Sequence, residues 1–202
     1  MGEGNVVALD HLVFAMPDLA RAGDLGIDLS EGGRHIGRGT RNLLADLGGG
    51  AYLEVIGPDP DQPEPGRPRP FGIDTLTEPK LVAWAVRVKD IEDVVRRAKA
   101  QGYDPGPVVP MSRERPDGVL LEWQLTPMLP GVLPFLIDWG STRHPSEDAA
   151  QGAQLELFQI SDPNPGGVYK GLKVLGLDYP VANGPTGLEA TIRTPNGEVV
   201  LR

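Results

Sequence analysis

No cysteine occurs in the 202 residues, which excludes disulfides, thiolate nucleophiles and cysteine-ligated zinc. No apolar run approaches the roughly 18 residues that a membrane-spanning helix needs. Basic residues are in deficit: 19 Lys and Arg stand against 28 Asp and Glu, a formal charge of −9. A nucleic-acid or anionic-membrane surface requires a concentrated basic face, so neither partner is expected. The opening MGEGNVVALD lacks the basic start and apolar stretch of a signal peptide, and the cytoplasm is the expected location. There is no Gly-x-Ser-x-Gly, and GGRHIGRGTRN lacks the Gly-Lys-Ser/Thr ending of a P-loop, so neither a nucleophilic triad nor a nucleotide loop is expected. What is present is an ordinary hydrophobic content of 40% with 27 glycines and 21 prolines. That composition describes a soluble globular chain with many turns between short elements.

One layout recurs three times. LDHLVFAMPD…LGID, LVAWAVRVKD…QGYD and AQLELFQISD…LGLD each run from an apolar strand to an aspartate, then through a helical pattern to Gly-hydrophobic-Asp. The aspartates are Asp18, Asp90 and Asp162, equally spaced. Aspartate is a preferred N-cap because its carboxylate accepts the orphan N–H groups of a first turn. Gly26, Gly102 and Gly176 fall where a helix ends in a left-handed residue. The middle helix is the clearest, with Ile91, Val94, Val95 and Ala98 on one stripe.

Three strand patterns follow each helix. In the first unit they are 33–39, 41–47 and AYLEVIG; in the second, PVVPMS, VLLEWQL and PFLIDWG. In the third they are DYPVA, LEATIRT and EVVLR, the last two joined by Pro195-Asn196-Gly197, a hairpin-turn signal. The chain is therefore expected to be α+β, built of tandem βαβββ units. Units 1–60 and 80–140 pair within 1–142, a proline-rich connector covers 61–79, and a third βαβββ-like unit covers 150–202. Aligning the units on their aspartates puts His11, Ala83 and Leu155 in one column. Two units keep an apolar residue there, so the fold itself does not need an imidazole, and function is the expected reason for His11.

Tandem βαβββ units whose strands curl into a cup resemble the vicinal oxygen chelate superfamily, the glyoxalase, bleomycin-resistance and dioxygenase fold. More narrowly, LDHLV, GGRHIGRGTRNLLADLG, YLEVIG, PFLIDWGSTRHPS and ATIRTPNGEVVL are similar to its glyoxalase-like domain family. The resemblance implies a curved, cup-shaped mixed sheet, often with a divalent metal that chelates neighbouring oxygens of a ligand. It implies metal ligands from the first and last strands of paired units, here His11, Glu54 and Asp138. Ala83 supplies no second histidine, which disfavours a two-His-one-carboxylate iron site and leaves Zn, Mn or Mg, or no metal.

Glu54 and His35 are the candidate acid–base groups. His35, Asn42, Arg113, Arg115 and Trp123 are candidates for binding substrate, the two arginines by reaching over the cup mouth. Arg34, Arg38, Thr40 and Arg41 offer further donors, and His144 sits in a loop that either closes over the cup or stands in water. The expected function is metal-assisted isomerase, lyase or hydrolase chemistry on a small oxygen-rich metabolite. The alternative is a non-catalytic small-molecule binder of the resistance type with the same fold. A third unit with an unpaired sheet edge leads to the expectation of a homodimer.

Overall fold

The computed structural model describes residues 7–202; residues 1–6, where the signal-peptide assessment and the first unit begin, lie outside the described residues. Eight strands close into a barrel: β1 (Ala8–Ala15), β2 (Ser30–His35), β3 (Thr40–Gly48), β4 (Ala51–Pro58), β5 (Lys80–Arg87), β6 (Val109–Glu114), β7 (Leu120–Leu125) and β8 (Phe135–Asp138). Their spatial order is β1-β4-β3-β2-β6-β7-β8-β5. A separate four-stranded sheet is made by β9 (Gln154–Asp162), β10 (Val181–Asn183), β11 (Gly187–Thr194) and β12 (Gly197–Leu201), ordered β10-β9-β11-β12. Helix α1 (Ile91–Ala100) follows β5 and helix α2 (Pro165–Val174) follows β9. Among the described residues no helix is long and apolar enough to cross a membrane.

Where the sequence pattern leads to a first helix, the chain makes a seven-residue 3₁₀ segment, Leu19–Leu25. Its buried residues are Leu19 and Ala22, and Gly23 falls in its last turn, so there is little apolar stripe to sustain an α-helix. Asp18 and Asp90 cap as expected, accepting from the backbone N–H of Ala20 and Asp93. The third cap is Asn164, which accepts from Gly167 N while Pro165 fills the first helical position. Asp162 instead accepts from Asn164 N and Thr186 Oγ1. Gly26, Gly102 and Gly176 all adopt left-handed φ, at 69°, 84° and 79°.

Period-two alternation along the strands divides the interior. Leu12, Phe14, Leu53, Val55, Trp84, Val86 and Leu136 face outward, beneath α1 and against Phe158, Ile160, Leu172 and Ile192. Val13, Ala15, Leu44, Ile56, Ala83, Ala85, Phe135 and Ile137 face the barrel interior. Trp84 is fully buried in the outer layer, its indole N–H donating to Val132 O at 2.8 Å.

The barrel closes where β2 meets β6, through the pair Arg34↔Glu114. Gly33 makes that approach possible: its φ is 147°, and a Cβ there would lie 2.2 Å from Glu114 O. Backbone cannot yield as a side-chain tip can. Gly33→Ala is therefore expected to destabilise the fold by about 2 kcal/mol or more in urea titration. An unchanged midpoint would mean the two halves are not this close.

Candidate functional site

The barrel encloses a cavity of about 320 Å³. Alternation aims residues from every strand of the first half into it: His11 from β1, His35 from β2, Asn42 from β3, and Tyr52 and Glu54 from β4. The facing wall carries Met111 and Arg113 from β6, Trp123 and Leu125 from β7, Phe135 and Ile137 from β8, and Trp139 beyond it. One wall is thus polar and acid–base competent. The other is apolar and aromatic, with Arg113 as its charge.

Glu54 is 6% exposed and lies between two imidazoles, with His11 Nε2 at 3.8 Å from Oε2 and His35 Nε2 at 3.6 Å from Oε1. Asn42 Nδ2 donates to Glu54 Oε1 at 2.5 Å, and Arg113 Nη1 donates to Asn42 Oδ1 at 3.2 Å. These two bonds fix the amide's orientation, since its oxygen must accept and its nitrogen must donate. Gly32 leaves room for the pair: a Cβ there would lie 2.2 Å from Asn42 Oδ1 and 2.7 Å from Arg113 Nη1.

Behind His11 stands Asp10, fully buried. The β1–β5 register slips between Leu9 and His11, so a bulge breaks the alternation at Asp10. Its carboxylate accepts from His11 Nδ1 at 2.6 Å, His144 Nε2 at 2.9 Å and Trp139 Nε1 at 3.1 Å, with Arg87 Nη1 at 3.9 Å. Burial would raise the Asp10 carboxyl, but the hydrogen bonds from His11 and His144 outweigh it and hold the group well below the usual carboxylate range. An ionised carboxylate only accepts, so Nδ1 of His11 carries the proton it shares with Asp10. Nε2 is the nitrogen left facing the cavity. His144 accepts the Ser146 N–H at Nδ1, 3.3 Å away, which gives it the opposite tautomer.

Tyr52 stacks on His11 with ring centroids 4.7 Å apart, its phenol pushed well above its ordinary pKa by burial. His35 contacts Thr40 Oγ1 at 3.1 Å, and burial lowers it to about 4 despite the neighbouring Glu54. His35 is therefore neutral at pH 7. The unfolded chain takes up this proton near pH 6.5 while the folded chain resists until about pH 4. Its contribution is complete above pH 6.5 and is lost as pH falls toward 4, a loss of about 3 kcal/mol. Asp10 acts in the same direction at lower pH. Urea midpoints across pH 7 to 4 should fall in the wild type and flatten in His35→Asn; an equal slope in both would assign the titration to another group.

Of the candidates drawn from sequence, His11, His35, Asn42, Glu54, Arg113 and Trp123 come together around the cavity. Arg113 does so as a 3% exposed wall residue rather than a reach over the mouth. Asp138 does not join them. Its carboxylate accepts from Ile91 N at 3.2 Å and Gly140 N at 2.9 Å, so it serves the start of α1. The strand register is one residue off: Ile137 faces in and Asp138 faces out. Arg115 lies just past the end of β6, paired with Asp148 at 2.5 Å and Asp117 at 3.3 Å beside a separate crevice. Asp10, Tyr52, Trp139 and the connector's Phe71 were missed. Only Asp10 left a signal, a carboxylate next to His11 in an apolar strand.

Vicinal-oxygen-chelate proteins often hold a divalent metal, and the donor set can be tested for one. With Asp138 turned to α1, His11 and Glu54 remain of the three expected ligands. His35 presents Nε2 at 3.6 Å from Glu54 Oε1, an oxygen that also accepts from Asn42. Among the described residues no group of three or more His, Asp or Glu side chains has the geometry of a metal centre. The residues do not fit the ion.

A family model for the glyoxalase-like domain matches residues 9–175. No curated protein matches the sequence. A hypothetical protein from Staphylococcus aureus has the same fold at 20% identity, with TM-score 0.64, covering 96% of this chain and 84% of its own. Methylmalonyl-CoA epimerase from Mycobacterium tuberculosis aligns at 23% identity with TM-score 0.42, covering 69% of this chain and 93% of its own. With its closed eight-strand sheet and its family match over most of its length, the chain belongs to the glyoxalase-like domain family of the vicinal oxygen chelate superfamily.

Proposed function

We propose that the chain is an enzyme that moves a proton on a small carbonyl compound held in the cup, by isomerase- or lyase-type chemistry that begins with enolisation. The observation that carries this is a carboxylate only 6% exposed, set between two imidazoles inside a mostly apolar cavity. Burying a charge there is costly and contributes nothing to packing, and such groups cluster at reacting sites.

Glu54 acts as the base. It takes a proton from the carbon beside the carbonyl, the C–H electron pair becomes the enolate C=C, and the carbonyl oxygen takes the charge. The Arg113 guanidinium, held on Asn42, supplies positive charge in the same cavity. His11 presents Nε2 at 3.8 Å from Glu54 and can relay the proton, while Asp10 holds its Nδ1–H and stabilises the imidazolium. Return of the proton to the opposite face of the same carbon completes an epimerisation with no co-reactant. The metal-assisted version is not carried forward, because Asp138 is committed elsewhere. Removal of metals with a chelator is accordingly expected to leave ligand affinity and melting temperature unchanged; a large drop in either would restore the metal.

The experiment is proton NMR in D₂O with a panel of small ketones, 2-oxo acids and thioesters, following loss of the α-proton signal. Catalysed exchange on one member supports the enzyme. The second reading is a sequestering protein, favoured by the wall from β6 to β8, whose charge is the single Arg113 among apolar side chains. A ligand that raises the melting temperature yet returns without deuterium or chemical change would favour sequestration.

A further inference from the structure

Most arginines of this acidic chain meet a carboxylate: Arg34 meets Asp61, Arg69 meets Asp74, Arg115 meets Asp148 and Arg143 meets Glu147. Among the described residues, two that line the cavity meet none. Arg113 is 3% exposed, and its hydrogen bond goes to the neutral amide of Asn42. Arg38, half-buried at the cavity, contacts Met111 Sδ at 3.0 Å. Burial lowers its pKa, with a smaller contribution from the neighbouring Arg67. With His35 neutral, Glu54 is the anion that the cavity itself sets against these two cations. Trp123, on the same wall and 9% exposed, has an indole N–H with no acceptor among the described residues. A buried guanidinium bonded to a neutral amide rather than a carboxylate, and a buried indole N–H without an acceptor among the described residues, call for an anionic ligand.

The rest of the space is apolar. Phe71, Phe135, Trp139, Leu125 and Met128 bound it. Phe71 sits in the left-handed region at φ 59°, unusual for a residue with a side chain, and its ring lies 6.3 Å from that of Phe135. This strained residue belongs to the Pro70–Thr75 segment of the connector, so the connector contributes an aromatic surface to the site.

We infer that the ligand is an arylalkyl carboxylate: its carboxylate received by Arg113 and Arg38, its ring held among Phe71, Phe135 and Trp139. This deepens the proposed proton transfer and rests on it for the site, while making a separate statement about charge and shape. A carboxylate next to the reacting carbonyl would also hold the α-carbon toward Glu54.

The test titrates the full chain with phenylacetate, the neutral isostere phenylacetamide, and acetate, reading the fluorescence of the cavity tryptophans. Phenylacetate is expected to bind at least about tenfold more tightly than either, equal to one bidentate charge-assisted contact. Arg38→Gln, at the half-buried position, should lose most of this preference without threatening the fold; Arg113→Lys, which keeps charge but not the fork, should lose part of it. Equal affinity for phenylacetate and phenylacetamide, or an undiminished preference in Arg38→Gln and Arg113→Lys together, would overturn the ligand class. Glu54→Gln separates the two proposals, because it should keep the preference for phenylacetate. If the wild type prefers phenylacetate but exchanges no α-proton of phenylpyruvate in D₂O, the ligand class stands and the catalytic proposal falls. Catalysed exchange without a charge preference gives the reverse.

Discussion

Glu54→Gln is expected to lower catalysed α-proton exchange by about 10²- to 10⁴-fold, the usual contribution of a positioned general base. The substitution is clean because glutamine has the same shape. Its Oε1 can still accept from Asn42 Nδ2, and its amide can donate toward His11 Nε2 across what is now a 3.8 Å separation. What disappears is the negative charge and the ability to accept a proton. Stability should therefore change little, or rise, since a buried charge has been replaced by a hydrogen-bonded neutral group. Exchange rate and urea midpoint, measured side by side, separate a chemical role from a structural one. A variant that exchanges as fast as the wild type would remove Glu54 from the reaction; one that unfolds would make it a structural anchor instead.

Asp10→Ala is expected to destabilise the protein by about 3–5 kcal/mol, the range for breaking a buried charged network from one side. Three donors, from His11, His144 and Trp139, converge on that carboxylate and would be left buried without an acceptor. Asp10→Asn keeps the volume and part of the bonding, so its loss should be smaller. It still removes the acceptor-only partner that dictates the His11 tautomer. Long-range nitrogen–proton NMR of His11 should then show protonation shared between Nδ1 and Nε2, with a fall in exchange rate that glutamate at position 54 cannot offset. A loss below about 1 kcal/mol in Asp10→Ala would mean that the three donors find other acceptors, and that Asp10 neither holds nor orients His11.

Much of this was legible in the residues. The capping aspartates Asp18 and Asp90, the left-handed glycines and the alternating strands are local signals, and each depends on chemistry within a few residues. That His11 is an exception needing a reason was legible too, because equivalent strands carry Ala83 and Leu155 in its place; the structure sets it at the cavity. Glu54, His35 and Asn42 followed from residue type together with family resemblance. Asp138 did not, and the reason is geometric: alternation reverses with a one-residue shift, so the same strand read one step differently turns its carboxylate from the cup to α1. Asp10 was hidden by the converse effect. A bulge between Leu9 and His11 puts two consecutive residues into one network, which a strict period of two forbids.

Sequence alone determined the order of the strands and the places of α1 and α2, the absence of thiol chemistry, and the set of side chains from which any site would be drawn, because propensity, capping and alternation act over short separations. Tertiary structure decided which of those side chains meet. The approach of β2 to β6 at Gly33, the bulge at Asp10, and the return of the His144 loop onto a carboxylate 134 residues earlier are long-range contacts that no local pattern encodes. Their geometry is set by the closing of the barrel as a whole, and so is the pairing of two imidazoles with Glu54.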